Sequence, residues 1–297
     1  QCKLLMMSPV TTLYTIKLSE MVLSFSQLTR LAGFSLLLVM MSCSEQQRII
    51  EPFVPEGNRV VLLEEFTGKG CTNCPKGSRE IDNLLKQFPD NLVAISIHAG
   101  FFANPQFFPL GVYDFRTEEG EYLFDYLGPN LGYPAGVVDR TAVNGDMQIG
   151  RNQWGSAISS EIQIPPAVEL TISRTFLPDT RQLTVTIEGI GKEDLSKEVR
   201  LSVVLIESGI VDAQDDLEAG GIVPDYVHKH VMRDMLTPAT GEPVASSMKT
   251  GQTFSKNYVY TIPQEWVADS MEIIAFVTLA EGTVYPVLQA ASAHVTE

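Results

Sequence analysis

Two cysteines three positions apart, Cys71 and Cys74 in the stretch GKGCTNCPKG, are the residues of this chain best placed to do chemistry. Such a pair has three uses: thiol–disulfide exchange, a structural staple, or half of a metal site. A closed zinc site takes four ligands and no second cysteine pair exists, which leaves metal the weakest of the three. The pair follows an apolar run and is itself followed by Pro75 and a stretch of helical spacing. The first sulfur then lies against the unpaired N–H groups and positive end of a helix, which favour thiolate over thiol. On this reading Cys71 is the exposed nucleophile and Cys74, in the first turn, the shielded resolving thiol. Thr72 and Asn73 add no charge, so activation is moderate, with small contributions from Lys69 and Lys76.

Other candidates are weaker. His228 and His230 in VHKH are two apart and would share a strand face, but two ligands alone make a poor metal site, and an ordinary polar face is the better reading. Asp212, Asp215, Asp216, Glu218 and Asp225 lack the spacing of a known calcium loop and read as a solvated acidic loop. Nine aromatics between Gly100 and Leu131 serve as core or as a ligand platform. No Ser-His-Asp order, phosphate loop or H-E-x-x-H stretch appears, and nothing calls for a cofactor. The net charge of −15 opposes binding to nucleic acid or to an anionic membrane surface.

The elements that must position the cysteines begin at Arg59. RVVLLEEF reads as a strand, Pro75 to Phe88 has helical spacing at Ile81, Leu84, Leu85 and Phe88, and NLVAISIHAG is a second buried strand. The pair therefore sits at the strand-to-helix junction of a β-α-β unit. The aromatic insert over 100–131 follows, with helix expected in TEEGEYLFDYLG, then GYPAGVVDR and a closing helix near 153–162. Pro165 and Pro166 mark a boundary. Beyond it VELTISRT, RQLTVTIEG, EVRLSVVLIE, KNYVYTIP, MEIIAFVTLA and YPVLQAASAHV alternate as the strands of an antiparallel sandwich.

The N-terminal stretch reads as an export signal. From Met21, Arg30 precedes an apolar run from Leu31 to Met41 that is too short for a span, which needs about 20 residues. Ser42-Cys43 closes it in the manner of a lipobox, making Cys43 the expected site of lipidation, although Met40 stands where leucine is usual. The expected organisation is a leader over 1–42, a tether over 43–58, an α/β domain over 59–164 and a β-sandwich over 167–297. Only Cys71 and Cys74 then remain in the folded body, and in an exported protein they are expected oxidised at rest.

VVLLEEFTGKGCTNCP resembles the active-site segment of thioredoxins and protein disulfide isomerases. The resemblance implies a thioredoxin-like fold for the N-terminal domain. It also implies a buried acid six residues before the nucleophile, here Glu65, that shuttles the proton of Cys74, with Glu64 on the opposite strand face. Pro134, after Tyr133, matches the cis-proline that faces the disulfide in that fold. Gly70 departs from the pattern, since redox-active relatives carry tryptophan there. EEFTGKGCTNCP, AISIHAGFFA, YPAGVVDR and YVHKHVMRDML together resemble the outer membrane protein twenty-eight family, lipoproteins of Bacteroidetes-type bacteria. That resemblance implies an outer-membrane lipoprotein, consistent with a lipid anchor at Cys43, that binds at the surface without catalysis, whereas the thioredoxin-like segment implies exchange with protein thiols and disulfides.

Overall fold

In the computed structural model, which describes residues 58–129 and 132–296, strand β1 (Val61–Thr67) has no exposed residue. It is held between β2 (Leu92–His98), parallel to it, and β3 (Ala135–Val138), antiparallel to it. The leader, the tether up to residue 57 and the expected lipidation site Cys43 lie outside the described residues.

Helix α1 (Cys74–Gln87) follows β1 and carries Pro75 in its first turn, where the missing N–H costs nothing. Its buried residues Cys74, Gly77, Ile81 and Leu84 recur at helical spacing and lie on one face. That face, with α3 (Arg151–Glu161) and its Trp154, packs on Val61, Leu63 and Val138. The aromatic insert contains α2 (Glu118–Tyr126), which Thr117 caps by accepting from the Gly120 amide at 2.9 Å, with Glu118, Glu119 and Glu121 at its positive end. Leu123 and Leu127 then enter the core on the opposite face of the sheet, with Leu62 and Phe66.

The rest of the chain is β. In order come β4 (Ile149–Gly150), β5 (Val168–Leu177), β6 (Gln182–Gly191), β7 (Val199–Glu207), β8 (Ile210–Asp216), β9 (Gly221–His228), β10 (Val231–Met235), β11 (Glu242–Ala245), β12 (Thr253–Thr261), β13 (Met271–Leu279) and β14 (Val287–His294). The fold is mostly β-sheet, in several sheets. Strands β12, β6 and β5 form one of them, and the alternating Leu183, Val185 and Ile187 of β6 pack on Leu201 and Val203 of β7 and on Ile273 and Ala275 of β13. A β-rich C-terminal part is what the sequence led one to expect.

The boundary at Pro165 and Pro166 does not divide the main sheet. Its order is β14-β13-β7-β10-β2-β1-β3-β4, with β11 added on β7. The join is made at Val231, which pairs with Ser96, and by the Ser96 amide, which donates to His230 O at 2.7 Å. One apolar core runs under the join, bringing Leu62, Val93 and Ile95 together with Val204, Ile206, Ile274 and Phe276. Residues 59–164 and 167–297, set apart in the sequence reading, thus share a sheet and a core.

Two sequence expectations fail here. His228 ends β9 and His230 sits in the following turn at φ 54°, so the two share no strand face. The acidic stretch from Asp212 to Asp225 is not a solvated loop but most of the β8–β9 hairpin, and Asp212 and Asp216 are buried in it.

Candidate functional site

The site is built around the junction of β1 and α1. Side chains of β1 alternate, so Glu64 and Glu65 leave the strand on opposite faces. Glu64 meets Arg140, whose Nε and a terminal nitrogen donate to its two oxygens at 2.9 and 2.8 Å, while the guanidinium lies over the rings of Phe276 and Tyr126. Both partners are buried, and removing one member of such a pair costs about 3–5 kcal/mol.

Glu65 has no cation. It is fully buried, Ser96 Oγ donates to its Oε2 at 2.9 Å, and its Oε1 has no hydrogen-bond partner. Burial pushes its carboxyl up to about 8, against a smaller opposing pull from the Ser96 hydroxyl, so it is protonated at neutral pH. The orphan oxygen faces α1 at Gly77, where a Cβ would collide with it and would lie 2.9 Å from the Pro134 ring. Cys74 precedes Gly77 by three residues on the same helical face. The Tyr133-Pro134 peptide is cis. Glu65, Ser96, Gly77 and Pro134 are therefore grouped under the face of α1 that begins with Cys74.

Cys71 and Cys74 are joined as a disulfide. Both are buried, at 3% and 2% exposure, which corrects the expectation that Cys71 is exposed. Cover comes from two segments remote in sequence. From the insert, Phe108 packs its ring where Gly70 has no side chain. From β8, Gln214 Nε2 donates to Cys71 O at 3.1 Å and to Gly68 O at 3.3 Å.

Lys69 is not free to activate Cys71. Its Nζ pairs with Asp212 at 2.9 Å, donates to Tyr113 O and lies 5.3 Å from the ring centroid of Phe115. Burial alone raises the Asp212 carboxyl, but the Lys69 ammonium and the amides of Tyr113 and Val112 together hold it below the usual carboxylate range. Lys76 is likewise engaged, 3.5 Å from Glu218. Phe115 packs against both His98 and His228, 4.9 Å from each ring, and the two imidazoles lie 5.7 Å apart. Burial, with Lys69 nearby, holds His98 well below its ordinary range and His228 down to about 4, so both imidazoles are neutral. Among the described residues no group of three or more His, Cys, Asp or Glu is arranged to hold a metal.

The outer membrane protein Omp28 family model matches residues 125–297, more than half of the chain. The chain belongs to that family. It is an outer-membrane protein, and among the described residues no helix is long and apolar enough to cross a membrane. No curated protein matches. Of solved structures, HBP35 of Porphyromonas gingivalis is similar in fold, at 16% identity and a TM-score of 0.63 over 82% of this chain and 77% of that one. A protein of Agrobacterium tumefaciens follows at 13% identity and a TM-score of 0.50, over 80% of this chain and 96% of that one. A domain of the outer membrane lipoprotein Omp28 from Porphyromonas gingivalis aligns over 44% of this chain and 89% of that one, at 17% identity and a TM-score of 0.30.

The family match begins at residue 125, beyond the cysteines, so the cysteine site rests on its own geometry. Sequence reasoning took Asp212 only as part of an acidic loop and Phe108 only as one of the insert's aromatics, and it missed Gln214 and Ser96. The hairpin that carries Asp212 and Gln214 had a signal, since the Gly220-Gly221 pair separates two short runs of mixed polarity.

Glu65 predicts a pH dependence of stability. Its carboxyl ionises near 4.5 when solvated and at about 8 when folded, so the folded protein holds an extra proton between those values. Stability from this group is complete below pH 4.5 and is lost as pH rises toward 8, by at most about 1.4 kcal/mol per pH unit. Denaturant unfolding of oxidised Glu65→Gln should therefore show less loss of stability between pH 5 and 8 than the parent. Parallel profiles would contradict the assignment.

Proposed function

We propose that this protein is a lipid-anchored thiol–disulfide exchange protein of the outer membrane, with a thioredoxin-like N-terminal half built on β1, α1, β2 and β3. The observation that carries the proposal is Glu65: a buried, protonated, cation-free carboxyl beneath the helix face that starts at Cys74. Such a group costs stability and has no structural partner beyond Ser96, whereas its neighbour Glu64 is fully paired. Strongly perturbed carboxyls next to a nucleophile are a mark of proton transfer.

In the exchange, a thiolate of a partner dithiol attacks Cys71 Sγ, forming a mixed disulfide and breaking the Cys71–Cys74 bond. Cys74 leaves as thiolate and takes the Glu65 proton. The partner's second thiolate then attacks its own sulfur in the mixed disulfide, releasing Cys71 as thiolate. The partner ends as a disulfide, and the protein as a reduced pair. Run in reverse, Glu65 takes the proton of Cys74 and so frees it to resolve a mixed disulfide at Cys71.

The burial of both sulfurs favours a second reading, a surface binding protein whose disulfide is a staple. Trapping separates the two. Cys74→Ser leaves Cys71 able to attack a partner disulfide but unable to resolve, so mixed disulfides that vanish in Cys71→Ser support exchange. No trapped partner, with both thiols of the reduced protein alkylated equally slowly, supports the staple.

Anchoring through lipid on Cys43 is motivated by the apolar run ending in Met41-Ser42-Cys43. Cys43→Ala should move the protein from the membrane fraction to the soluble one, and its retention in the membrane would rule that anchor out.

A further inference from the structure

The β8–β9 hairpin (Ile210–Asp216 and Gly221–His228) leaves the main sheet after β7 and returns to it at β10. Between those points its two strands pair only with each other as a sheet. The other edge of β8 lies along the cysteine loop. The Asp215 amide donates to Lys69 O and the Leu217 amide to Thr72 O, each at 2.9 Å, with the two Gln214 bonds between them. This is the pattern of a strand added to a free backbone edge.

The chemistry of the contact is that of a removable cover. Its inward side presents Asp212, Gln214 and Asp216, with Ala213 the one buried apolar residue of β8. Hydrogen bonds of this kind contribute little net stability, because water replaces them when they open. The strongest tie is the buried Lys69–Asp212 pair, and the Asp212 carboxylate also accepts from the Val112 and Tyr113 amides at 2.9 and 3.0 Å. One carboxylate thus fastens the hairpin and the aromatic insert together over Cys71. Further out, the exposed Arg79 of α1 reaches the buried Asp216 at 3.4 Å and pairs with Glu218, which is exposed, so that salt weakens this outer tie. The hairpin's two ends, at Gly209 with φ 82° and His230 with φ 54°, are turns rather than sheet.

We infer that the β8–β9 hairpin is an autoinhibitory lid. It occupies the backbone edge beside Cys71 that an extended polypeptide partner takes during exchange, and Lys69–Asp212 is its latch. The partner this edge fits is an extended thiol- or disulfide-bearing segment that offers its own amides to Lys69 O and Thr72 O. The inference rests on the exchange reading for its purpose, but the lid itself is tested without a partner.

The full chain, oxidised, is treated with dithiothreitol, and free thiols are counted by mass-tag alkylation after timed quenching. Opening the latch with Asp212→Asn, or loosening the cover with Gln214→Ala, should speed reduction by about tenfold, because the buried disulfide reacts only when locally uncovered. Hydrogen exchange should show the Asp215 and Leu217 amides losing protection in these variants while β1 amides keep theirs. Reduction at the parent rate in both variants overturns the lid, as does loss of β1 protection together with the hairpin's, which makes global unfolding the cause. Faster reduction with no partner trapped in Asp212→Asn/Cys74→Ser keeps the lid and removes the exchange reading. A trapped partner with unchanged reduction rates keeps exchange and removes the lid.

Discussion

Burying two consecutive carboxylates in the central strand is the constraint on which the rest of this structure depends. A strand can do so only by sending them to opposite faces, and each face must then deal with a charge that burial penalises. One face keeps the charge: Arg140 binds Glu64 through two hydrogen bonds and is itself sandwiched on aromatic rings. The other face gives the charge up, and Glu65 keeps its proton. The two faces thus differ, with one carboxylate paired to an arginine that lies over Phe276 and the other carboxyl protonated beneath the cysteine helix.

The second consequence comes from the shared sheet. Because β10 joins β2 at Val231, the C-terminal strands are part of the layer that carries the cysteines. The hairpin that precedes β10 starts from that layer, one strand away from β2, and so reaches the loop at residues 68–72. Asp212 and Lys69 are 143 positions apart in sequence and 2.9 Å apart in space for this reason. Access to the disulfide is thereby tied to the part of the chain that the family match covers.

Much of this was legible in the sequence, and the reasons are local. The apolar run before Cys71, the helical spacing after Pro75 and the alternation of β5, β6 and β12 are patterns set by short-range burial, and the residues follow them. The opposite orientation of Glu64 and Glu65 follows from the period of a strand. What stayed hidden depends on long-range pairing. Nothing near Asp212 announces a lysine that neutralises it, so the stretch reads as solvated although Asp212 is buried against Lys69. Gly70 in isolation looks like the loss of an aromatic, whereas Phe108 of the insert packs its ring where the glycine has no side chain. The two histidines of VHKH part because the chain turns at His230, a positive-φ residue that alternation alone does not reveal.

The central claim is that Glu65 is a protonated reserve held for Cys74, and its carboxyl can be observed directly. Carbon-13 labelling of glutamate side chains, with the Glu65 resonance assigned by its absence in Glu65→Gln, gives its titration in the oxidised protein. The account predicts a midpoint near 8, well separated from the exposed glutamates. A midpoint near 4.5 would mean that Glu65 is ionised at neutral pH and has no proton to give.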